Sequence, residues 1–220
     1  MELTMFQRLQ ELPLFQGLNL DDVSEIVAKV RFDFQQLSDN EEIVGQDSSC
    51  KQLIFVLKGD VNVEYIDPDR RYRFTEKVSA PIAIEPQNMF GMTQKYQRTY
   101  TCISSCQTLT IERAQFLSVM MNYPIVKINA LNMVCNLLQR ANKRLDTISH
   151  ESADVKLVQF LRNNSLYPKG EKQLYTTMES LAEIFSETRL NVSRALKRLN
   201  QKGLMKQERK AFTILAIENL

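Results

Sequence analysis

The chain contains little of what marks several classes of protein. Its 220 residues hold four cysteines, six glycines, six prolines and one histidine. So few cysteines indicate reduced thiols in a reducing compartment rather than a disulfide framework. The longest apolar run, residues 53–57, has five residues, far short of the roughly 20 that cross a bilayer. The start of the chain also lacks the pattern of a signal peptide. We therefore expect a cytoplasmic protein without membrane contact.

Ligands and nucleophiles are scarce as well. Cys102 and Cys106 are spaced to share one face of a strand, but a zinc site needs further ligands and His150 is the only imidazole. Small, partly buried cysteines are the favoured interpretation, and no metal site is predicted. The sequence has no glycine-rich phosphate loop joining a strand to a helix and no nucleophile–base arrangement, so we do not expect an enzyme.

Basic charge is concentrated near the end of the chain. Residues 1–150 hold 16 Lys and Arg against 18 Asp and Glu, whereas residues 151–220 hold 12 against 8. Residues 189–210 contain eight basic residues and a single acidic residue, Glu208. Such a cluster is the electrostatic footprint of a phosphate-binding surface.

The chain divides into three stretches by pattern. Residues 3–30 are predicted to be helical, with a break at Pro13 and Gly17. Residues 31–112 show short β-like runs between turn signals, which favours a sandwich or a barrel. The clearest run alternates apolar residues at Val61, Val63 and Tyr65 with polar neighbours.

A long helix is predicted over residues 113–149, interrupted or restarted near Pro124. Its apolar positions recur at spacings of three and four, which is typical of a two-stranded coiled-coil seam in which a buried Asn fixes the register. The alternative is a helix packed only on its own domain. Residues 149–154 resemble a hinge, and Asp154 is expected to cap the next helix. The seam residues are Ile128, Leu131, Cys135, Leu138, Asn142 and Leu145.

Two closely spaced helices are predicted after a loop at residues 165–172. Thr176 and Glu179 offer a capping box for the first, and Thr188 can cap the second after the turn at residues 186–188. A strand, a basic turn and a strand follow. This is the arrangement of a winged helix-turn-helix. In the second helix the apolar and polar residues separate into an inward and an outward face: Val192, Leu196 and Leu199 against Arg189, Ser193, Arg194 and Lys197.

At these motifs the chain resembles the cyclic-AMP receptor/FNR (Crp/Fnr) family of bacterial transcription regulators. The matching stretches are "LFQGL", "QLIFVLKGDVNV", the long helix and "LAEIFSETRLNVSRALKRLNQKGLM". The resemblance implies an α+β fold: a cyclic-nucleotide-binding-like β-barrel (jelly roll) over 1–112, a dimerisation helix over 113–149 and a winged helix-turn-helix over 150–220. Ser186 stands where the family usually has glycine, and a left-handed conformation there would cost about 1 kcal/mol.

The resemblance implies a dimeric, sequence-specific DNA-binding regulator whose second helix enters the major groove. Arg189, Leu190 and Arg194 match the family's base-reading positions, and Ser193 shares their face. Leu190 replaces a carboxylate, so we expect an operator different from the best-known family consensus.

Double-stranded DNA, a second copy and RNA polymerase are the expected partners. The alternative is a ligand-binding module that acts through protein contacts, which the basic bias disfavours. Phosphate contacts are expected from Thr188, Lys197, Lys202, Lys206, Arg209 and Lys210.

The predicted sensor does not carry a complete cyclic-nucleotide site. In "FGMTQKYQRTYT" the residues Gly91, Arg98 and Thr99 match the family's phosphate-binding cassette, but Met92 replaces the Glu that accepts from the ribose hydroxyl. Cyclic AMP is therefore not expected, although Arg98 leaves room for another anion. The first cysteine is Cys50, which disfavours an iron–sulfur cluster, and no barrel histidine is available for haem. We predict no cofactor.

Overall fold

The protein is described here by a computed structural model that covers residues 9–145, 152–167, 169–208, 210–215 and 217. Its antiparallel strands and helices confirm the α+β class. The chain forms two compact units. The first unit comprises Met1–Val61, Ser79–Gln97 and Thr101–Arg140, and the second comprises Asn62–Val78, Arg98–Tyr100 and Ala141–Leu220. A stretch of the predicted barrel therefore belongs with the C-terminal residues.

The helices are α1 (Leu20–Lys29), α2 (Arg113–Asn122), α3 (Pro124–Leu145), α4 (Ala153–Asn164), α5 (Met178–Phe185) and α6 (Arg189–Gln201). The strands are β1 (Asp33–Leu37), β2 (Glu42–Val44), β3 (Gln52–Lys58), β4 (Asp60–Ile66), β5 (Tyr72–Ser79), β6 (Ile82–Ile84), β7 (Thr99–Cys102), β8 (Cys106–Glu112), β9 (Lys172–Thr176), β10 (Met205–Glu208) and β11 (Ala211–Ile214). Short 3₁₀ helices occupy Pro13–Phe15 and Pro86–Met89.

In the first unit an antiparallel sheet has the strand order β1-β8-β3-β6. Strand β3 is buried on both faces, because the adjacent residues Ile54 and Phe55 are both buried. Its apolar run is continuous for that reason and does not alternate. The turn into β4 requires glycine: Gly59 has φ +107°, and a Cβ there would lie 2.8 Å from the Ser105 carbonyl oxygen. Along β4, Val61 and Val63 are buried as predicted.

The predicted long helix is divided into α2 and α3 at Tyr123 and Pro124. Tyr123 has φ −123° and ψ 97°, outside the helical region, because a following proline excludes the preceding residue from it. Pro124 then starts α3, where its missing N–H costs nothing. Residues 146–149 of the predicted helix, like residues 3–8 of the first predicted helical stretch, lie outside the described residues.

The second unit is a winged helix-turn-helix built on a longer sheet than predicted. Strand β9 lies between β11 and β5, pairing from Tyr72↔Thr176 to Glu76↔Lys172. Its first residue falls at the end of the predicted loop, and the rest of the strand was not predicted. Phe74 of β5 has no exposed surface and belongs to the same apolar core as the three helices. Other members of this core include Leu157, Leu161, Leu181, Val192, Leu196, Leu199 and Phe212.

A buried charge cluster joins β5 to β9 in this unit. The side chains of Glu76 and Lys172 have no exposed surface, and Lys172 Nζ lies 3.0 Å from Glu76 Oε2. The backbone N–H of Leu166 donates to Glu76 Oε1 at 2.6 Å, and Lys172 Nζ donates to the Lys169 carbonyl at 2.7 Å. These hydrogen bonds offset the cost of removing two charges from water.

Candidate nucleic-acid interface

Helix α5 begins one residue later than the predicted capping box implies. Thr177 is the N-cap, and its hydroxyl oxygen accepts from the Ser180 N–H at 3.1 Å. The prediction of Thr176 as the cap is wrong, because Thr176 is the last residue of β9. Its hydroxyl donates instead to the Arg71 carbonyl at 2.9 Å.

The turn between α5 and α6 is tight and left-handed. Ser186 has φ 51° and ψ 47°, and its N–H donates to the Glu183 carbonyl at 3.1 Å. The Glu187 N–H donates to the Ala182 carbonyl at 2.9 Å. Thr188 then caps α6, as predicted, by accepting from the Asn191 N–H at 3.2 Å. Ser186 thus adopts the left-handed conformation that the family's usual glycine would adopt without strain.

Helix α6 has one buried and one exposed face. The three predicted inward residues are all buried: Val192, Leu196 and Leu199. Ala195, on the same face, is buried as well. The four candidate base-reading residues are all exposed, so they lie together on the outer face of the second helix of the motif: Arg189, Leu190, Ser193 and Arg194. Leu190 leaves 58% of its surface accessible. Exposing the leucine side chain to water is unfavourable, and burying it against a ligand would be favourable.

Arg189 has an exposed ion-pair partner. Its Nη1 lies 3.0 Å from Glu179 Oε1, and both side chains are more than half exposed. Exposed pairs of this kind contribute about 0–1 kcal/mol. The guanidinium is therefore free to exchange this carboxylate for a stronger partner.

The candidate phosphate-binding lysines lie on and after α6. Lys197, Lys202, Lys206 and Lys210 are exposed. Lys210 has φ 61° and lies in the turn between β10 and β11, the wing. The fifth candidate, Thr188, is exposed and uses its hydroxyl oxygen as the α6 cap. Arg209 lies outside the described residues.

Two ion pairs, which were not predicted from the sequence, connect α4 to α6 and to the turn before α6. Arg198 Nε donates to Asp154 Oδ1 at 2.7 Å, and Arg198 Nη2 donates to Asp154 Oδ2. These two hydrogen bonds lower the pKa of the Asp154 carboxyl. The prediction that Asp154 caps α4 is wrong: the N-cap is Ser152, and the Ser152 side chain makes no capping hydrogen bond within the described part of the chain. Lys156 Nζ donates to Glu187 Oε1 at 2.8 Å. Arg198, one of the eight clustered basic residues, is therefore paired with a carboxylate of its own chain, as Arg189 is.

The four positions predicted for an effector lie in different surroundings. Gly91 has φ +96° and is exposed, and Met92 is fully exposed. Arg98 is mostly buried, and its Nη2 donates to the Asn164 carbonyl at 2.8 Å. Its guanidinium carbon also lies 5.6 Å from the centre of the Tyr65 ring. Thr99 is half-buried at the start of β7.

The predicted seam is an exposed apolar row along α3. Ile128, Leu131 and Leu138 leave 55%, 56% and 58% of their surfaces accessible, and Cys135 and Asn142 are also exposed. The side chain of Leu145 lies outside the described part of the chain. Large apolar side chains at this spacing normally have a partner.

Cys102 and Cys106 are both buried, one at the end of β7 and the other at the start of β8. Burial is the main cause that raises the pKa of the Cys102 thiol to about 12. Within the described ranges, no three His, Cys, Asp or Glu side chains are arranged to hold a metal ion. None of the helices that the structure describes combines the length and apolarity of a membrane span.

The antiparallel sheets, the helices and the winged helix-turn-helix give the chain a fold that solved structures share. The structure of Thermus thermophilus catabolite activator protein is similar over 92% of this chain and 93% of that chain, with a TM-score of 0.56 and 20% identity. The sensor domain of the transcriptional regulator DNR from Pseudomonas aeruginosa is similar over 66% of this chain and 94% of that chain, with a TM-score of 0.52 and 20% identity. No model of a known sequence family and no curated protein sequence matches the chain.

Proposed function

We propose that the protein is a dimeric, sequence-specific DNA-binding transcription regulator of the Crp/Fnr family. The observation that carries this proposal is the outer face of α6, where Arg189, Leu190, Ser193 and Arg194 are all exposed while the opposite face is buried. The fold shared with the Thermus catabolite activator protein supports it. The protein acts in the cytoplasm, and RNA polymerase is its protein partner.

In this proposal α6 lies in the major groove. Arg194 donates two hydrogen bonds to the O6 and N7 of a guanine, a pairing that discriminates by about 1–3 kcal/mol. Leu190 cannot accept a hydrogen bond, so it contacts either a thymine methyl group or no base. Thr188 and the exposed lysines contact phosphates, with Lys210 reaching the backbone from the wing.

Two copies pair along α3 and present two α6 helices to one face of the DNA. The operator is then an inverted repeat with half-site centres ~10 bp apart. The sensor does not respond to cyclic AMP. The position of Arg98 supports this, since its guanidinium donates to the Asn164 carbonyl, and Met92 offers no acceptor for a ribose hydroxyl.

The decisive experiment is selection of bound sites from random double-stranded DNA with the purified protein. An inverted repeat containing a G·C pair in each half-site is expected. Arg194→Ala should lower the preference for the selected site over random DNA by about 10- to 100-fold. Arg31→Ala is the matched control, because it removes an exposed arginine of the first unit. Recovery of unselected sequences would contradict the proposal and favour a module that acts through protein contacts.

Lys210 tests the phosphate role separately. Lys210→Ala should weaken binding to the selected site and to random DNA by the same factor. The slope of log K against log salt concentration should fall by about 1, because one phosphate contact is lost. A loss confined to the selected site would instead assign Lys210 to base reading.

A further inference from the structure

We propose that a cavity in the first unit binds an uncharged, mostly apolar small molecule that carries one hydrogen-bond donor. The cavity has a volume of about 250 Å³. It is formed by the 3₁₀ helix Pro86–Met89 together with β3, α2 and α3. Its walls include Leu53, Met89, Phe116, Met120 and Ala130.

The chemistry of the walls excludes a charged ligand. The lining residues are aliphatic, aromatic or thioether, apart from Gln87. A phosphate or carboxylate placed here would lose its water without gaining a countercharge, which is strongly unfavourable. This separates the cavity from any site for a nucleotide.

Gln87 supplies the polar feature of the ligand. Its Oε1 is buried, and no group in the described part of the chain donates a hydrogen bond to it. A buried acceptor left unpaired is unfavourable, so a ligand N–H or O–H directed at this oxygen gains specificity as well as affinity. A few placed polar groups in an apolar pocket are the usual design of small-molecule sites.

The volume limits the size of the ligand. An apolar cavity of roughly 150 Å³ holds benzene, so this larger cavity fits a molecule of roughly two aromatic rings or a medium-length acyl chain. Met89, Met120 and Met133 all line it. Methionine side chains are flexible and polarisable, so the walls adapt to ligands of somewhat different shape.

The cavity also touches the face of α3 on which dimerisation is proposed. Leu131 lines the cavity and is a seam residue, and Val134 lines the cavity beside the seam. A ligand that favours one arrangement of these side chains shifts the equilibrium between free and paired copies. This regulatory step rests on the proposed function, whereas ligand binding itself does not.

The test uses 1-naphthol, an uncharged two-ring fluorophore with one O–H donor, titrated against the full chain without DNA. Saturable binding of one probe per chain is expected. Ala130→Phe fills the cavity and should weaken binding by at least about tenfold. Ala114→Phe, at an exposed position of α2, is the matched control and should bind like wild type. Gln87→Leu should weaken binding several-fold, because the acceptor is lost.

Each other result overturns the proposal. Absence of saturation, or equal binding by wild type and Ala130→Phe, would show that the cavity does not hold the probe. If Ala130→Phe does not fold, Met133→Trp fills the same space and is measured in its place. The lining residues all come from one chain, so Leu138→Asp, which should disrupt the seam, must still bind one probe per chain, with an affinity changed only by the coupling to pairing. Loss of binding in Leu138→Asp would assign the probe to the contact between copies.

Discussion

At the scale of single residues, the second unit depends on a charge pair that water does not reach. Glu76 comes from the hairpin of β4 and β5, whereas Lys172 begins β9, and neither side chain is exposed. The hydrogen bonds from the Leu166 N–H and to the Lys169 carbonyl leave each charge with more than one partner. A pair of this kind costs little while it is complete and a great deal when one member is removed.

Lys172→Met should therefore lower the free energy of unfolding by about 3 kcal/mol, the low end of the range for breaking a buried pair, because the Glu76 carboxylate then keeps only the more distant Arg98 guanidinium, 3.9 Å away, as a countercharge. The measurement is urea unfolding followed by circular dichroism. Lys77→Met is the control: Lys77 lies next to Glu76 in β5 but is exposed, so a change within about 0.5 kcal/mol is expected. The double variant Glu76→Leu/Lys172→Met should recover only part of the loss, because the Arg98 guanidinium and the Leu166 N–H then lose Glu76 as a partner. Equal effects of the two lysine substitutions would contradict the role of the pair.

The pair of Asp154 and Arg198 is partly exposed and should contribute less. Hydrogen bonds from Arg198 lower the pKa of the Asp154 carboxyl in the folded protein. The contribution of this group is thus complete above its unfolded pKa of about 4 and is lost as the pH falls through the lower folded pKa. Asp154→Asn should reduce the free energy of unfolding by less than about 1 kcal/mol at pH 7.

The pH dependence separates this effect from a general loss of packing. The difference between wild type and Asp154→Asn should shrink as the pH falls below 4, as measured by urea unfolding at several pH values. Asp39→Asn is the control, since Asp39 is an exposed carboxylate of the first unit. A difference that stays constant down to the lowest pH would show that the ion pair is not its source.

At the scale of elements, the turn of the helix-turn-helix carries backbone strain. Ser186 adopts the left-handed conformation, in which a Cβ is unfavourable. Ser186→Gly should therefore raise the free energy of unfolding by about 1 kcal/mol. The same substitution at Ser193, an exposed helical position of α6, should lower it by about 0.5–1 kcal/mol. Opposite signs for the two serines in thermal unfolding are the expected result, and equal signs would argue against strain at the turn.

The elements set by local sequence could be predicted, and those set by distant pairing could not. Helical periodicity predicted α5 and α6; in α6, for example, Val192, Leu196 and Leu199 share one face. The wing hairpin was predicted from two strand-like runs on either side of a basic turn. Strand β9 was missed because its five residues gain their hydrogen bonds from β5 and β11, far away in the chain. No local pattern encodes such partners.

The same reasoning explains which site residues could be found. Spacing alone places Arg189 and Arg194 on the exposed face of α6, whereas their role in base reading is what the family resemblance implies. The engagement of Arg198 with Asp154, 44 residues away in the chain, was not. The cap of α5 was predicted one residue early, because Thr176 and Thr177 are adjacent and only the end of β9 decides between them.

At the scale of the whole molecule, the exposed row on α3 is the feature that demands a partner. Most apolar side chains of the first unit are buried, yet Ile128, Leu131 and Leu138 each expose more than half of their surface. In the proposed dimer, a second α3 covers all of them at once. The proposed two-fold operator and the proposed two-fold seam would be consequences of the same symmetry.

Cysteine chemistry can test this symmetry. Cys50, Cys102 and Cys106 are buried, and Cys135 is exposed at an a-type position of the proposed seam. In a parallel pair of helices, equivalent a positions face each other. Mild oxidation should therefore give a covalent dimer of wild type on non-reducing electrophoresis, and Cys135→Ser should abolish it.

Moving the cysteine along α3 distinguishes the seam from random collision. In the Cys135→Ser background, Asn142→Cys returns a thiol to the next a position and should restore the cross-link. Asn136→Cys places an equally exposed thiol one residue off the seam and should not, because a disulfide requires Cα atoms within about 7 Å. Cross-linking of both variants at the same rate would mean that the copies meet by collision. The inverted repeat expected of the operator would then have no counterpart in the protein.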